Sequence, residues 1–340
     1  MLYRIVTSAK IPSTFLTYQS DTALQRGQVV EVHLRKKLTT GIVIEELTST
    51  EYDAKTIDKV IPVILPESYL TFLSLFCFNT LNDYNNTVSI ICAWIDKLSQ
   101  KQIVQLEKSF DRETRLQTIP HQKKSKKLDY SLDKDAWFRI RVIIRRLVEE
   151  QKELDTSSKT VLIIMPEIIY INQLKNNFKE FESEVSLHTF KGDSSATARL
   201  TFMELLENTF STPTPTLNIL LTTRTGIFLP FHKLDEIILV DEANHMYIQE
   251  QNKVYYDTRD AVFLMSENYS ANLHFLSTLP SVRLYNFNSQ KVLSDLQDYS
   301  KNYTQKLPKV QLYKRERKDT FQGIFSNEIL EQIGVEHLED

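Results

Sequence analysis

The chain has 340 residues, 41 basic and 44 acidic side chains for a formal charge of −3, and a hydrophobic content of 41%, enough for one large or two modest buried cores. Only 6 glycines occur and none precedes a lysine. This excludes a GxxxxGK[ST] phosphate loop and a GxGxxG dinucleotide turn, because both need glycines whose missing Cβ lets backbone N–H groups close on a phosphate.

The chain opens as β-structure. YRIVTS at 3–8, GQVVEVHL at 27–34 and GIVIEEL at 41–47 are β-branched runs separated by turn signals, and Glu31, His33 and Glu45 alternate with apolar residues as in strands with one wet face. From Pro66 the spacing becomes helical, with Tyr69, Leu70, Phe72, Leu73, Leu75 and Phe76 clustered, then DYNN as a break and TVSIICAWIDKL as a second helix. Residues 98–130 hold few large aliphatics and a basic run, His121 to Asp129, which reads either as a solvated linker or as a contact to a nucleic-acid backbone.

From Lys134 helix and strand patterns alternate, pointing to a parallel sheet with crossover helices. The series is an amphipathic helix over Asp135 to Leu154, the strand TVLIIM at 160–165, a helix in IYINQLKNNFKEF, the strand VSLHTF, a helix over Ala196 to Glu207, the strand LNILLTT at 217–223 and the apolar run EIILVDE at 236–242. Runs this apolar suit strands buried on both faces. Beyond Ser281 the pattern thins, and KVQLYKRERKD at 309–319 is a basic tail.

Cys77 and Cys92 each sit among apolar residues and read as buried thiols of a reducing compartment. CxxC and HExxH are absent, so no metal site is expected. The opening MLYRIVTSAKIP is too interrupted for a secretory leader, and the longest apolar stretch, Tyr69 to Phe78, has about half the length of a membrane span, so the expected compartment is the cytoplasm.

The sharpest local signal is IILVDEANH at 237–245, a hydrophobic strand ending in Asp241 and Glu242. In RecA-type hydrolases such a pair orders Mg²⁺ and activates water. Read in order, VLIIMPEIIYINQL, VSLHTF, TTRTGIFLPF (Thr222 to Phe231), IILVDEANH, YYDTRDAVFLMS (Tyr255 to Ser266) and STLPS (Ser277 to Ser281) resemble successive segments of the first helicase lobe of the primosomal protein N′ family, the PriA replication-restart helicases. TFLTY, RGQVVEVHLRKKLTTGIVIEE, the VIPVI run and the helical pair with DY resemble that family's N-terminal DNA-binding domain.

The resemblance implies an α/β chain with a small β-rich DNA-binding domain at 1–97, a basic linker at 98–130, one RecA-like parallel-sheet lobe at 131–285 and a tail at 286–340. It implies a pocket for a DNA 3′ end, with the family's FDY triple falling on Leu16, Thr17 and Tyr18 and its PFG turn on His33, Leu34 and Arg35. Arg35, Lys36 and Lys37 then form a run of cations able to neutralise phosphates, or a solvated hairpin turn. Lys59 and Tyr84 are neighbours of that pocket, the tyrosine as a stacking platform or as a core aromatic. Arg224 and Thr225 match the segment that touches single-stranded backbone, although an arginine there could equally tie the sheet edge to a carboxylate. Arg259 and Asp260 read as an internal pair.

Departures from the family pattern bear on chemistry. SLDKDAWFRIRVI stands where the family has its phosphate loop, Asn244 replaces a histidine, Leu276 a glycine and Leu279 a threonine; with about sixty residues after Ser281, a chain without the family's second lobe or cysteine-rich module is expected. The expected role is DNA fork or end binding and scaffolding in replication restart or repair, with DNA and other primosome proteins as partners, Asp241 and Glu242 vestigial, and no cofactor. Two alternatives remain at this level: half of a split ATP- and Mg-dependent helicase completed by another chain, and a protein-binding adaptor without DNA contact.

Overall fold

The computed structural model describes residues 1–9, 15–98, 101–104, 128–132, 136–154, 158–192, 201–202, 205, 217–250, 253–278, 281–282, 321–322 and 325–326. The KKSKK run of the linker, the basic tail at 309–319, Leu279 and most of the helix expected at 196–207 lie outside these residues. Residues 1–295 form one compact unit. The unit 296–340 is described only by two short antiparallel strands, β15 (Phe321–Gln322) and β16 (Phe325–Ser326).

The N-terminal sheet consists of β1 (Leu2–Thr7), β2 (Leu16–Gln19), β3 (Gln28–Leu34), β4 (Lys37–Leu47), β5 (Lys55–Thr56) and β6 (Lys59–Ile64), in the order β5-β2-β1-β4-β3-β6. The two edge strands are one continuous stretch of chain: β5 pairs with β2, β6 pairs with β3, and between them the Ile57 amide bonds Gln19 and the Asp58 amide bonds Glu31. The sheet therefore curls until one segment spans both edges, which removes most of the unpaired backbone an open sheet would expose. Tyr3, Ile5, Tyr18, Val30, Val32, Val43 and Ile57 fill the interior. Gly27, at φ 86°, makes the turn into β3, and a Cβ there would lie 2.3 Å from the Leu65 carbonyl oxygen.

Two helices follow, α1 (Glu67–Thr80) and α2 (Tyr84–Ile95), the second capped by Asp83, which accepts from the Asn86 amide. Cys77 and Cys92 are buried free thiols within them, as their apolar surroundings predict. The buried residues of the pair serve two neighbours. Thr40 of β4 bonds Asp96 just after α2, whereas Tyr69, Phe76 and Trp94 meet the second domain: the Tyr69 hydroxyl donates to the Phe228 carbonyl at 2.8 Å, Phe76 packs edge-on to Phe228 and Tyr256, and Trp94 packs edge-on to Phe190.

The second domain is the expected parallel sheet, with β7 (Leu128–Leu132), β8 (Lys159–Ile164), β9 (Val185–Phe190), β10 (Leu217–Thr222), β11 (Glu236–Val240) and β14 (Asn272–Ser277) in the order β7-β14-β11-β8-β10-β9. The N-terminal β-rich domain followed by a RecA-like α/β lobe is thus present in the structure. α3 (Ala136–Leu154) and α4 (Ile168–Asn177) cover one face through Ile140, Ile144, Leu147, Ile171 and Leu174, and α5 (Thr258–Tyr269) runs against β11, β14 and α1. Strand β7 starts inside the stretch that reads as linker: LDYSL alternates apolar and polar residues as a strand does, but it follows directly on the basic run, and its pairing with β14 defines it. A short ribbon of β12 (Ile248–Gln249) and β13 (Tyr256–Asp257) leads into α5.

Candidate nucleic-acid interface

The basic run sits at a hairpin tip. Leu34 pairs with Lys37, so Arg35 and Lys36 alone connect β3 to β4. A two-residue hairpin matches the twist of its strands when a central residue takes the left-handed conformation, and Arg35 does so at φ 58°. This is the position where the family resemblance places a glycine. For an arginine the conformation costs roughly 1 kcal/mol. The fold gains no packing in return, since Arg35, Lys36 and Lys37 are all exposed, and three cations project from the tip.

The strand carrying Leu16, Thr17 and Tyr18 is brought to the hairpin by barrel closure. Tyr18 is buried, and its hydroxyl donates to the His33 carbonyl at 3.0 Å; burial, and then the Asp58 carboxylate, raise its phenol above the ordinary range. His33 Nδ1 lies 2.6 Å from Asp58 Oδ1, next to Lys59, which pairs in register with Glu31. Tyr18 thus points into the sheet's interior and ties β2 to β3. Thr17 stands opposite Arg4, and Arg4 opposite Glu45, with which it forms an ion pair. Directly opposed residues share a face of the sheet, so this row looks outward.

Tyr84 closes the row from α2. Its ring centroid is 6.1 Å from that of Phe15, and the Arg4 guanidinium carbon is 5.7 Å from the Phe15 centroid. Burial raises the Tyr84 phenol, with a hydrogen bond to Ser74 working against it. No sequence motif singles out Arg4 or Phe15. The aromatic in TFLTY is visible in the sequence, but its partner on a distant helix is not.

Arg224 and Thr225 open a 3₁₀ turn at the carboxyl end of β10. Arg224 Nη1 donates to the Met246 carbonyl at 2.6 Å, so the atom it holds is a main-chain oxygen and not a carboxylate. Thr225 packs over Gly192, where a Cβ would meet its hydroxyl at 2.7 Å. The rest of the TTRTGIFLPF string docks on α1 through the Phe228 carbonyl and ring. That docking supplies a packing reason for the string alongside any contact with nucleic acid.

Asp241 follows β11 in the left-handed conformation, φ 54°, with its Oδ2 accepting from Asn244 Nδ2 at 2.8 Å. Glu242 is 1% exposed and accepts the Ser281 amide at 2.7 Å; burial pushes its carboxyl above the ordinary range. Arg259 makes its ion pair with Asp257, 2.7 Å from Nε to Oδ1, and donates to the Glu242 carbonyl. The guanidinium fork of Arg259 faces Asp257, the N-cap of α5 two residues back, and Asp260 adds a further attraction to the same group. Between strand ends, the buried Tyr247 hydroxyl lies 3.0 Å from the Ile164 carbonyl and 2.5 Å from that of Val240. An open cavity of about 330 Å³ nearby has Trp137, Ile140, Tyr170 and Asp241 in its wall. Among the described residues no group of three or more His, Cys, Asp or Glu could hold a metal ion.

Residues 4–91, from β1 into α2, match the family model described as the PriA 3′ DNA-binding domain. The replication restart protein PriA of Helicobacter pylori strain 26695 is 24% identical over 299 residues, 86% of this chain. The chain is PriA-like. PriA of Rickettsia prowazekii is likewise 24% identical over 292 residues, 80% of the PriA-like chain. The PriA-like chain spans less than half the length of these relatives, 45% and 42% respectively. The matched residues 4–91 take in the closed sheet, α1 and most of α2, so the helices that dock on the lobe belong to the DNA-binding module itself. No helix among its described residues is long and apolar enough to cross a membrane.

Proposed function

We propose that this chain works in the cytoplasm in replication restart and repair, binding forked or single-stranded DNA at a 3′ end and presenting it to other primosome proteins, without ATP-driven unwinding. The observation that supports the reading is the match of residues 4–91 to the PriA 3′ DNA-binding domain, with Arg35, Lys36 and Lys37 exposed at its β3–β4 hairpin; Leu16, Thr17 and Lys59 are the further residues we assign to the DNA contact. Cations at a turn bind phosphates with little base selectivity, so the interaction is salt-sensitive and sequence-tolerant. Thr17 supplies one hydroxyl for a terminal sugar, and Tyr84 with Phe15 offers aromatic surface to a base. Arg224 and Thr225 contribute a backbone contact from the lobe.

Ligands of open α/β sheets bind at the carboxyl edge of the strands. In the sequence no glycine lies between Gly41 and Gly192, so none falls between β7 and α3. Phosphoryl transfer depends on positioned phosphates, metal and water, and a sequence without glycines there lacks the residues of a phosphate-wrapping loop. Glu242, the residue that would activate water, instead accepts the Ser281 amide below the surface. The lobe then serves as a scaffold.

Fluorescence anisotropy tests the reading with three forks of one sequence, bearing a 3′ hydroxyl, a 3′ phosphate or a recessed 3′ end, across a salt series. Salt-dependent binding that favours the 3′ hydroxyl supports it, and no binding at low ionic strength overturns it. Calorimetric titration with ATP and Mg²⁺ tests the second half: micromolar affinity with turnover abolished by Glu242→Gln would show a working enzyme.

A further inference from the structure

The outward row at Thr17 contains a cation that no sequence motif marks. Arg4 is the register partner of Thr17 across β1 and β2, and of Glu45 across β1 and β4. The second pairing depends on a bulge. Ile5 opposes Val43 and Arg4 opposes Glu45, so Ile44 is an extra residue in β4 with no register partner on β1. Val43 belongs to the sheet's interior, and strict alternation would turn Glu45 to that same side. The extra residue resets the alternation and brings Glu45 out beside Arg4.

The guanidinium is held from two directions. Its carbon lies 5.7 Å from the centroid of the Phe15 ring, which is itself 6.1 Å from that of Tyr84. On the other side Glu45 forms the ion pair, and both partners stay open to water, Arg4 43% and Glu45 46% exposed. An exposed pair of this kind is worth a factor of roughly five at most in an equilibrium, whereas a phosphate offers a guanidinium two parallel charge-assisted bonds. The pair is therefore loose enough to be exchanged for a phosphate. The contact with Phe15 does not involve Glu45, so it can keep the guanidinium in place during the exchange.

We propose that Arg4 is a further DNA-contacting residue, taking the last internucleotide phosphate of a strand whose terminal sugar lies at Thr17, and that Glu45 restrains it by competing for the guanidinium. The inference rests on the 3′-end reading above. It adds to that reading a phosphate contact on the outer face of the sheet, apart from the hairpin cations, and an acid placed by a bulge to set how tightly that contact closes.

The test measures anisotropy of the full chain with two forks bearing a 3′ hydroxyl. They are identical except that in one the last internucleotide phosphate of the 3′-ended strand is an uncharged methylphosphonate. Arg4→Gln is expected to weaken binding of the ordinary fork roughly tenfold and to lower the slope of log K against log salt by about 0.7. The methylphosphonate is expected to cost the native chain a similar factor and to cost Arg4→Gln almost nothing, because the contact it removes is already gone. Arg4→Lys keeps the charge without the planar fork, so it should hold the salt slope and lose part of the affinity. Glu45→Gln is expected to tighten the ordinary fork about two- to fivefold, and to tighten it less in the Arg4→Gln background. Both side chains are exposed, so melting temperatures should stay near that of the native chain.

If the native chain binds with a slope that depends on Arg35, Lys36 and Lys37, but Arg4→Gln changes neither affinity nor slope, the inference is overturned while the 3′-end reading stands. A methylphosphonate that weakens the native chain and Arg4→Gln alike has the same consequence. Equal tightening by Glu45→Gln with and without Arg4 overturns the restraint. No binding of either fork by the native chain at low ionic strength overturns the inference together with the reading beneath it.

Discussion

The Tyr69 hydroxyl donates to the Phe228 carbonyl at 2.8 Å, deep in the interface between the helices of the DNA-binding domain and the lobe. Phe228 also packs edge-on against Phe76 and Tyr256, with centroids 5.3 Å away in each case. Two domains sharing such a buried cluster should unfold together. Tyr69→Phe leaves the Phe228 carbonyl unsatisfied and is expected to cost about 1–3 kcal/mol; Phe228→Ala should cost about 3–5 kcal/mol. Calorimetry is expected to show one transition in the native chain, splitting into two in Phe228→Ala.

The hairpin tip separates conformation from charge. Reversal of Arg35, Lys36 and Lys37 to glutamates is expected to weaken DNA binding and to flatten the dependence of log K on log salt, by roughly 0.7 for each single-strand phosphate that is no longer neutralised. Arg35→Gly relieves the left-handed residue and should stabilise the fold by roughly 1 kcal/mol, while lowering the salt slope by the share of a single phosphate. Titrations at several salt concentrations, with urea unfolding alongside, check both.

Asp241 is held by its backbone as much as by its charge. Asparagine tolerates the φ of 54° and keeps a side-chain oxygen for Asn244, so Asp241→Asn should be near neutral. Asp241→Ala meets the left-handed penalty and should cost about 1–2 kcal/mol. Neither substitution is expected to change DNA binding, as urea midpoints and anisotropy would show.

Two buried glutamates set opposite pH dependences. Burial alone would raise the Glu236 carboxyl, but the His274 ring 2.6 Å away, the Asn272 amide and the Arg146 guanidinium outweigh it and hold the group below its ordinary range. Its stabilisation is therefore complete above the unfolded value of about 4.3 and lost as pH falls through the lower folded value. Glu242 is shifted the other way by burial, so its ionisation destabilises the fold as pH rises through the raised value. Glu236→Gln, which breaks a buried pair, is expected to cost about 3–5 kcal/mol and erase part of the acid limb. Glu242→Gln keeps an acceptor for the Ser281 amide and should flatten stability on the neutral side. Melting temperatures measured across pH separate the two.

Element types are legible in the residue order alone, since β-branched alternation and helical spacing are local properties. So are the positions of the motifs: the runs at 28–34, 160–164 and 236–240 are strands, the basic RKK run lies at a turn, and Asp241 with Glu242 follows a buried strand. Strand β7 is less plain: LDYSL alternates apolar and polar residues, but five such residues directly after a basic run read equally as linker, and the pairing with β14 decides. What each functional side chain touches emerges only once the chain is packed. Tyr18 turns inward to His33, Arg224 to Met246, Arg259 to Asp257, and the FLPF end of its string to α1. The difference is one of range: periodicity records which face of an element is apolar, whereas a hydrogen bond between Tyr69 and Phe228 joins residues 159 positions apart, and no local pattern carries the geometry of that meeting.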